Sequence, residues 1–481
     1  MRIVAMSYQG TNETGHLETK SMSGLSSTRR RFLQSSAAAL GVSLPQFLEL
    51  RQQAVAADAT TSPVGKAKSC IVLYCWGGMS HHETWDPKPL ASSEVRGEFQ
   101  PISTATPGIM VSEHIPYLAK QTERLAIVRS IHHNSSAHGK GMYWNMTGHA
   151  PPQATTAVNL PPSQEHWPSL GAMVSKFRKA PRGMPRSVRL PYPLVDNGTL
   201  QAGEYGGWLG QQYDPIVIRT PGGKPFGGVS RSLGAAELNL EQPVDQQRLR
   251  RRNQLLSGLE TPLPPEAGIE QLQHFRQLAS DMLLNPEVKV AFDLDRESPK
   301  TLERYGDHIG GRSMLLARRL SEAGVPLITV CCAAGDLNGS RGDHWDTHGD
   351  NFNRLKKTML PSFDRPAATL LEDLSERNLL DHTLVVILTE FGRTPKINGG
   401  AGRDHYPGVY SVVLAGGGIQ GGQVYGSSDR NGAHPHSRAC KPSDLHATIF
   451  NAMGIPVNAM LYDTLNRPLP MTDGQPLPLF G

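Results

Sequence analysis

Short, unbroken apolar runs that end in glycine or in a burst of polar residues constrain this chain more than any other feature. Cys70-Ile71-Val72-Leu73-Tyr74-Cys75 and Leu384-Val385-Val386-Ile387-Leu388 place apolar side chains at odd and even positions alike, so as strands they must be covered on both faces. Val325 to Cys332 reads the same way, after a helix over Leu315 to Ala323 that Gly324 stops. Leu125 to Val128 and Val409 to Ala415 add strands, the latter closed by Gly416-Gly417-Gly418, and an amphipathic helix spans Ala367 to Leu380 before the strand Thr383 to Leu388. Strands separated by helices predict an α/β fold with a mostly parallel central sheet and helices on both faces. In such a sheet, ligands meet the carboxyl ends of the strands.

The first 56 residues have a different character. Thr28-Arg29-Arg30-Arg31-Phe32-Leu33 precedes a charge-free run from Ser35 to Phe47 and then Ala54-Val55-Ala56. A paired arginine, a short apolar stretch and a small-x-small site describe a twin-arginine export signal, with residues 1–24 as an extension and the mature chain starting near Ala57. A basic tail before a surface helix is the plainer reading of the same residues. The signal reading implies a periplasmic or extracellular protein. Without residues 1–56 the chain carries 42 Lys and Arg against 40 Asp and Glu, so its basic character comes from the leader and carries no nucleic-acid signal. No run approaches the roughly 18 apolar residues of a membrane span. Cys70, Cys75, Cys331, Cys332 and Cys440 lack zinc-ligand spacing and read as small buried hydrophobes, with disulfides open.

Residues 57–481 read as one α/β domain with a helical insertion at about 236–300. The insertion is rich in Gln and Arg and includes Arg248-Leu249-Arg250-Arg251-Arg252, which reads as a solvated face or as a contact for an anionic polymer.

Three polar clusters follow strands. The first, Gly77-Gly78-Met79-Ser80-His81-His82-Glu83-Thr84-Trp85-Asp86, offers Ser80, His81, His82, Glu83 and Asp86 as ligands, with Ser80, His81 and Asp86 the metal candidates, where glycines allow close backbone approach. The second, His132-His133-Asn134-Ser135-Ser136-Ala137-His138-Gly139-Lys140, feeds a helix start, a natural place for an anion; it reads either as a site where His138 and Lys140 hold a metal or a negative substrate, or as a polar turn with capping serines. The third joins Asp346 and His348, two apart and so on one side of an extended segment, with Glu390, Arg393, Asp404 and His405. Carboxylate with imidazole suits Zn, Mn or Fe. A structural ion-pair network is the plain reading.

These residues resemble a known family. Gly77-Gly78 with Thr84-Trp85-Asp86-Pro87-Lys88-Pro89, Leu315-Leu316-Ala317-Arg318-Arg319-Leu320, Trp345-Asp346-Thr347-His348, Glu390-Phe391-Gly392-Arg393-Thr394-Pro395 and Gly402-Arg403-Asp404-His405 resemble the bacterial domain-of-unknown-function family 1501. That family is itself similar to the alkaline-phosphatase-like superfamily that includes sulfatases. The resemblance implies one or two divalent ions (Zn, Mn or Ca) held by Asp and His at strand ends, and a nucleophile at a helix N-terminus. Asp346, His348 and His405 resemble the first metal site, and Glu390 stands where the superfamily's Asp-His-Gly begins, although Glu390-Phe391-Gly392 has no histidine. Counting nine residues back from Thr147 reaches His138, where a sulfatase nucleophile would stand. Ser80 replaces the usual first-strand Asp, with Asp86 close by.

Two functions follow from that resemblance. In one, an exported hydrolase cleaves a phosphate or sulfate ester, small-molecule or polysaccharide, with Ser135, Ser136 or a metal-activated water attacking and Arg393 or Lys140 neutralising the anion. In the other, chemistry is lost and the protein binds a polysaccharide or protein partner at the cell envelope.

Overall fold

The computed structural model describes residues 65–152, 159–196, 199–218, 245–259, 267–332 and 344–481. The twin-arginine segment and the expected start near Ala57 lie outside these residues, as do 236–244 and 260–266 of the insertion.

Eight strands form the central sheet: β1 (Ser69–Tyr74), β2 (Leu125–Ile131), β3 (Ser187–Leu190), β4 (Ile216–Val217), β5 (Leu327–Cys331), β6 (Thr383–Leu388), β7 (Tyr410–Ala415) and β8 (Gln423–Tyr425). Their order across the sheet is β8-β2-β7-β6-β1-β5-β3-β4. The apolar runs earn their double burial through strand periodicity. Ile71, Leu73, Val385, Ile387, Ile328 and Val330 enter one core, while Cys70, Val72, Leu384, Val386 and Leu327 enter the other.

Helices cover both faces. The first core takes buried residues of α5 (Ile309–Glu322) and α6 (Leu360–Glu376). The second takes α1 (His138–Thr147), α2 (Leu170–Phe177) and α7 (Pro442–Ala452). Each fully buried Leu, Ile or Val stabilises the layers by about 1.5–3 kcal/mol. In the insertion stretch, α3 (Gln246–Leu259), α4 (Ala267–Leu284) and a short helix Pro286–Phe292 are helical, with Arg250, Arg251 and Arg252 exposed.

Register sets up the site. β1 pairs in parallel with β6 from Ser69↔Thr383 to Tyr74↔Leu388, and with β5 up to Tyr74↔Cys331, so three strands end level. β2 runs in the same sense, because β7 is antiparallel to both β6 and β2. The reversal at β7 departs from the run of parallel strands, and its cause is local. Residues 389–409 return through a two-residue ladder, Gly392–Arg393 against His405–Tyr406, rather than through a crossover helix.

Two helices differ from their expected bounds. α5 begins at Ile309 rather than Leu315, because His308 caps it by accepting from Gly311 N, and Gly311 admits no side chain: a Cβ there would stand 2.0 Å from Tyr305 O. α6 begins at Leu360 rather than Ala367 and carries Pro366 inside. All five cysteines are buried free thiols. Among the described residues, no helix is long and apolar enough to cross a membrane.

Candidate metal centre

Four chain segments leave the same edge of the sheet and converge on Asp346. β1 runs into Trp76-Gly77-Gly78, β2 into the loop before α1, β6 into Glu390, and the segment beyond β5 supplies His344 to His348. Gly77 lets the first and last of these touch. Its φ is +112°, and a Cβ there would stand 2.3 Å from Asp346 N. Trp345 N also donates to Trp76 O (3.1 Å), and Trp345 Nε1 to Cys332 O (2.6 Å). The turn is therefore stitched to the strand end.

Asp346 is the hub. Its Oδ1 lies 2.6 Å from the Arg393 guanidinium, 3.0 Å from His405 Nε2 and 3.1 Å from His348 Nε2; its Oδ2 lies 3.4 Å from His138 Nε2. Burial opposes ionisation of Asp346. Hydrogen bonds to the three histidines and the Arg393 charge overcome that and hold its carboxyl far below the usual range.

Each imidazole is fixed from behind. His138 Nδ1 meets Glu390 Oε1 at 2.7 Å, His348 Nδ1 meets Asp404 Oδ1 at 2.7 Å, and His405 Nδ1 meets the Ser136 carbonyl at 2.8 Å. Carboxylate and carbonyl oxygens accept, so each Nδ1 carries the hydrogen and each Nε2 turns toward Asp346. Neutral rings would then point lone pairs at an anionic carboxylate. Positive charge must stand between them, as protons or as a metal ion.

In the absence of a metal, protons fill that role unevenly. Burial works against protonation of His138, but its bonds to Asp346 and Glu390 outweigh it and raise its pKa to about 9. The bond to Asp346 also raises His348, whereas burial lowers His405. His348 and His405 stand Nε2 to Nε2 at 2.9 Å, too close for two facing lone pairs unless a proton or a cation lies between them. His138, Asp346 and His405 each offer a ligand atom, all within 4.8 Å of one another. The chemistry of the set, three oriented imidazoles and one carboxylate, fits a divalent cation.

Supporting residues are buried beneath. Glu390 is fully buried, and the same Oε1 that holds His138 accepts Gly77 N at 2.7 Å. It therefore sits behind the ring rather than beside Asp346. Its backbone carbonyl takes Asn145 Nδ2 (2.9 Å) and His133 Nε2 (2.6 Å). Arg393, also wholly buried, gives Nε to Gly78 O (2.9 Å), one terminal nitrogen to Arg403 O (3.0 Å) and the other to Asp346, Trp345 O and Gly77 O. Its donors are committed inside the protein, which makes it a brace for Asp346. Trp76 stacks on His138, with ring centroids 5.3 Å apart, and meets His344 edge-on.

The remaining expected residues divide by location. Ser135 and Ser136 border the cluster, but it is the Ser136 backbone that touches it; Ser135 Oγ accepts from Ala137 N at 3.4 Å. Ser80, His81 and Asp86 belong to another assembly. Ser80 Oγ donates to Glu83 (2.5 Å), which pairs with buried Arg403 (2.6 Å). His81 Nε2 bonds Gly432 O (2.9 Å), and Asp86 takes Ser428 Oγ (2.5 Å) and Lys88 (2.9 Å). These contacts lock the loop after β1 to residues 428–432. Sequence reasoning did not single out Trp76 as a wall or Arg403 as the partner of Glu83. The adjacency of Arg403 to Asp404 and His405 was the one available signal.

The sequence model of a protein family of unknown function, DUF1501, matches residues 67–478. No curated protein matches the chain. Among solved structures, the chain is similar to Ps i-CgsB, at 11% identity and a TM-score of 0.39, with 85% of this chain and 74% of that one covered. It is similar to a protein in the alkaline phosphatase superfamily from Vibrio parahaemolyticus, at 10% identity and a TM-score of 0.37, with 82% and 68% covered. It is also similar to the alkaline phosphatase from the Antarctic bacterium TAB5, at 13% identity and a TM-score of 0.32, with 76% and 96% covered. Likeness at this level fixes neither reaction nor substrate.

Proposed function

The chain belongs to the DUF1501 family, and we propose that it is a metal-dependent hydrolase of phosphate or sulfate esters, acting on a small-molecule or polysaccharide ester. One observation carries the reading: His138, His348 and His405 each have Nδ1 held by an acceptor and Nε2 turned toward Asp346. His138, Asp346 and His405 would hold one ion, with His348 as a fourth ligand. Imidazole-rich sets suit Zn or Mn; Ca prefers an all-oxygen shell and matches less well. When bound, the ion would polarise an ester oxygen and lower the pKa of a water.

The chain's own residues do the rest. Glu390, Asp404 and the Ser136 carbonyl fix the imidazole rings, and Arg393 fixes Asp346. Trp76 and Phe391 close over His138 and exclude water. His138 also opens α1, whose first turn has no side-chain cap, so backbone N–H groups and the helix dipole favour an anionic ester there. The twin-arginine pattern at Arg29-Arg30 supports action outside the cytoplasm.

A second reading has one observation in its favour. The first position of α1 holds His138, committed to Glu390 and Asp346, rather than a hydroxyl or thiol. A protein of this kind could bind a polysaccharide or protein partner without cleaving it. Aryl phosphate and aryl sulfate assays after chelation and metal return separate the two. Hydrolysis restored by metal and lost in Asp346→Ala and His405→Ala supports the hydrolase; turnover that survives both substitutions refutes it.

A further inference from the structure

The arginine run in the insertion has no part in the metal centre, and its surroundings say what it would meet. α3 contains Arg248, Arg250, Arg251 and Arg252 and no acidic residue between Gln246 and Leu259. At 100° per residue, Gln246, Leu249 and Asn253 share the half-buried side, while Arg248, Arg251, Arg252 and Leu255 project on the opposite one. Leu255 is 66% exposed on the arginine side, and Leu256, at the edge of the half-buried side beside Leu249, is still 42% exposed.

The neighbouring helix adds exposed apolar side chains but not the charge pattern, since it carries Glu270 and Asp281 with a single arginine. In α4, Leu272 is 68% exposed and Phe275 39%, beside Arg276. Asn253 Nδ2 bonds Ser280 Oγ across the two helices. Leu255, Leu256, Leu272 and Phe275 therefore all lie between that contact and the connection joining the helices. A solvated charged face would not need four large apolar side chains in water, and an anionic sugar polymer would offer them nothing to bury against. Cations interleaved with exposed leucines match an interfacial helix, which sinks its apolar side chains among lipid tails and sets its arginines against anionic headgroups.

We propose that the α3–α4 pair is a docking surface for an anionic lipid bilayer, resting on it without crossing it. The surface is independent of the metal centre and holds whether or not the protein hydrolyses esters.

Co-sedimentation of the full chain with phosphatidylcholine vesicles, with and without phosphatidylglycerol, tests it. The expected result is binding to the anionic vesicles only, weakened by salt. Each arginine near such a surface contributes about fivefold, so Arg248→Gln/Arg251→Gln/Arg252→Gln should weaken partitioning roughly a hundredfold. Leu255→Ser/Leu272→Ser should also weaken it while leaving the salt dependence in place. These side chains are exposed, and an unchanged melting temperature will show that the variants fold. Equal binding to both vesicle types, or to neither, overturns the proposal. So does retention on a sulfated polysaccharide with no vesicle binding, which would reassign the arginines to a polyanion.

Discussion

In metal-free protein, stability should depend on pH through His138. Burial disfavours its charged form, yet Asp346 and Glu390 raise its pKa from 6.5 to about 9. A group whose folded value is raised contributes stability that is fully present below the unfolded value and lost as pH rises through the folded one. Between those limits the folded state binds one more proton than the unfolded, and unfolding becomes easier by roughly 1.4 kcal/mol per pH unit. Over the window from 6.5 to about 9, the loss is about 3 kcal/mol. Urea unfolding in a chelator across that window measures it directly. His138→Gln, which cannot take the proton, should reduce the slope, leaving only the part that His348, also raised by Asp346, contributes. Bound metal should do the same, because the ion replaces the proton on Nε2, and apparent metal affinity should rise up to about tenfold per pH unit below about 9. A flat wild-type profile, or an unchanged slope in His138→Gln, would show that His138 takes up no extra proton on folding.

Other substitutions probe the supports. Glu390→Gln keeps the shape behind His138 but removes the charge, and should weaken metal affinity about 10- to 100-fold in a competitive chelator titration. Gly77→Ala forces a Cβ to 2.3 Å from Asp346 N at a φ of +112°; urea unfolding should show a cost on the order of 1–3 kcal/mol, together with weaker metal binding. Ser136→Ala should leave stability within about 0.5 kcal/mol and metal affinity unchanged, because the backbone carbonyl is what holds His405.

Much of the sheet is legible in the sequence for a physical reason. β1, β5 and β6 are buried on both faces and are built almost entirely of apolar residues, which a continuous apolar run announces. β3, with Ser187 and Arg189 in four residues, gives no such signal, because buried Arg189 pairs with Glu204 at 2.7 Å, a contact that no local pattern encodes. The start of α5 at Ile309-Gly310-Gly311 and the first turns of α6 before Pro366 are hidden because local propensity argues against helix there, and at Gly311 the close approach of Tyr305 O leaves no room for a side chain. At the site, a strand end points to Glu390, and the clusters of carboxylate and imidazole point to Asp346 and the His405 region. They do not say which way a loop turns after leaving the sheet. Ser80, His81 and Asp86 follow β1 as closely as Trp76 does, yet buried contacts to Arg403 and to residues 428–432 draw them away. The division between Glu390 behind a ring and Asp346 before three is likewise a matter of side-chain direction.

The most direct test of the account is the metal content of the purified full chain, by elemental analysis and by equilibrium titration after chelation, beside an Asp346→Ala/His405→Ala variant. The native protein should bind Zn or Mn tightly, and the variant should lose that binding while still folding. A native protein that binds neither ion, or a variant that binds as well as the native one, would contradict the account.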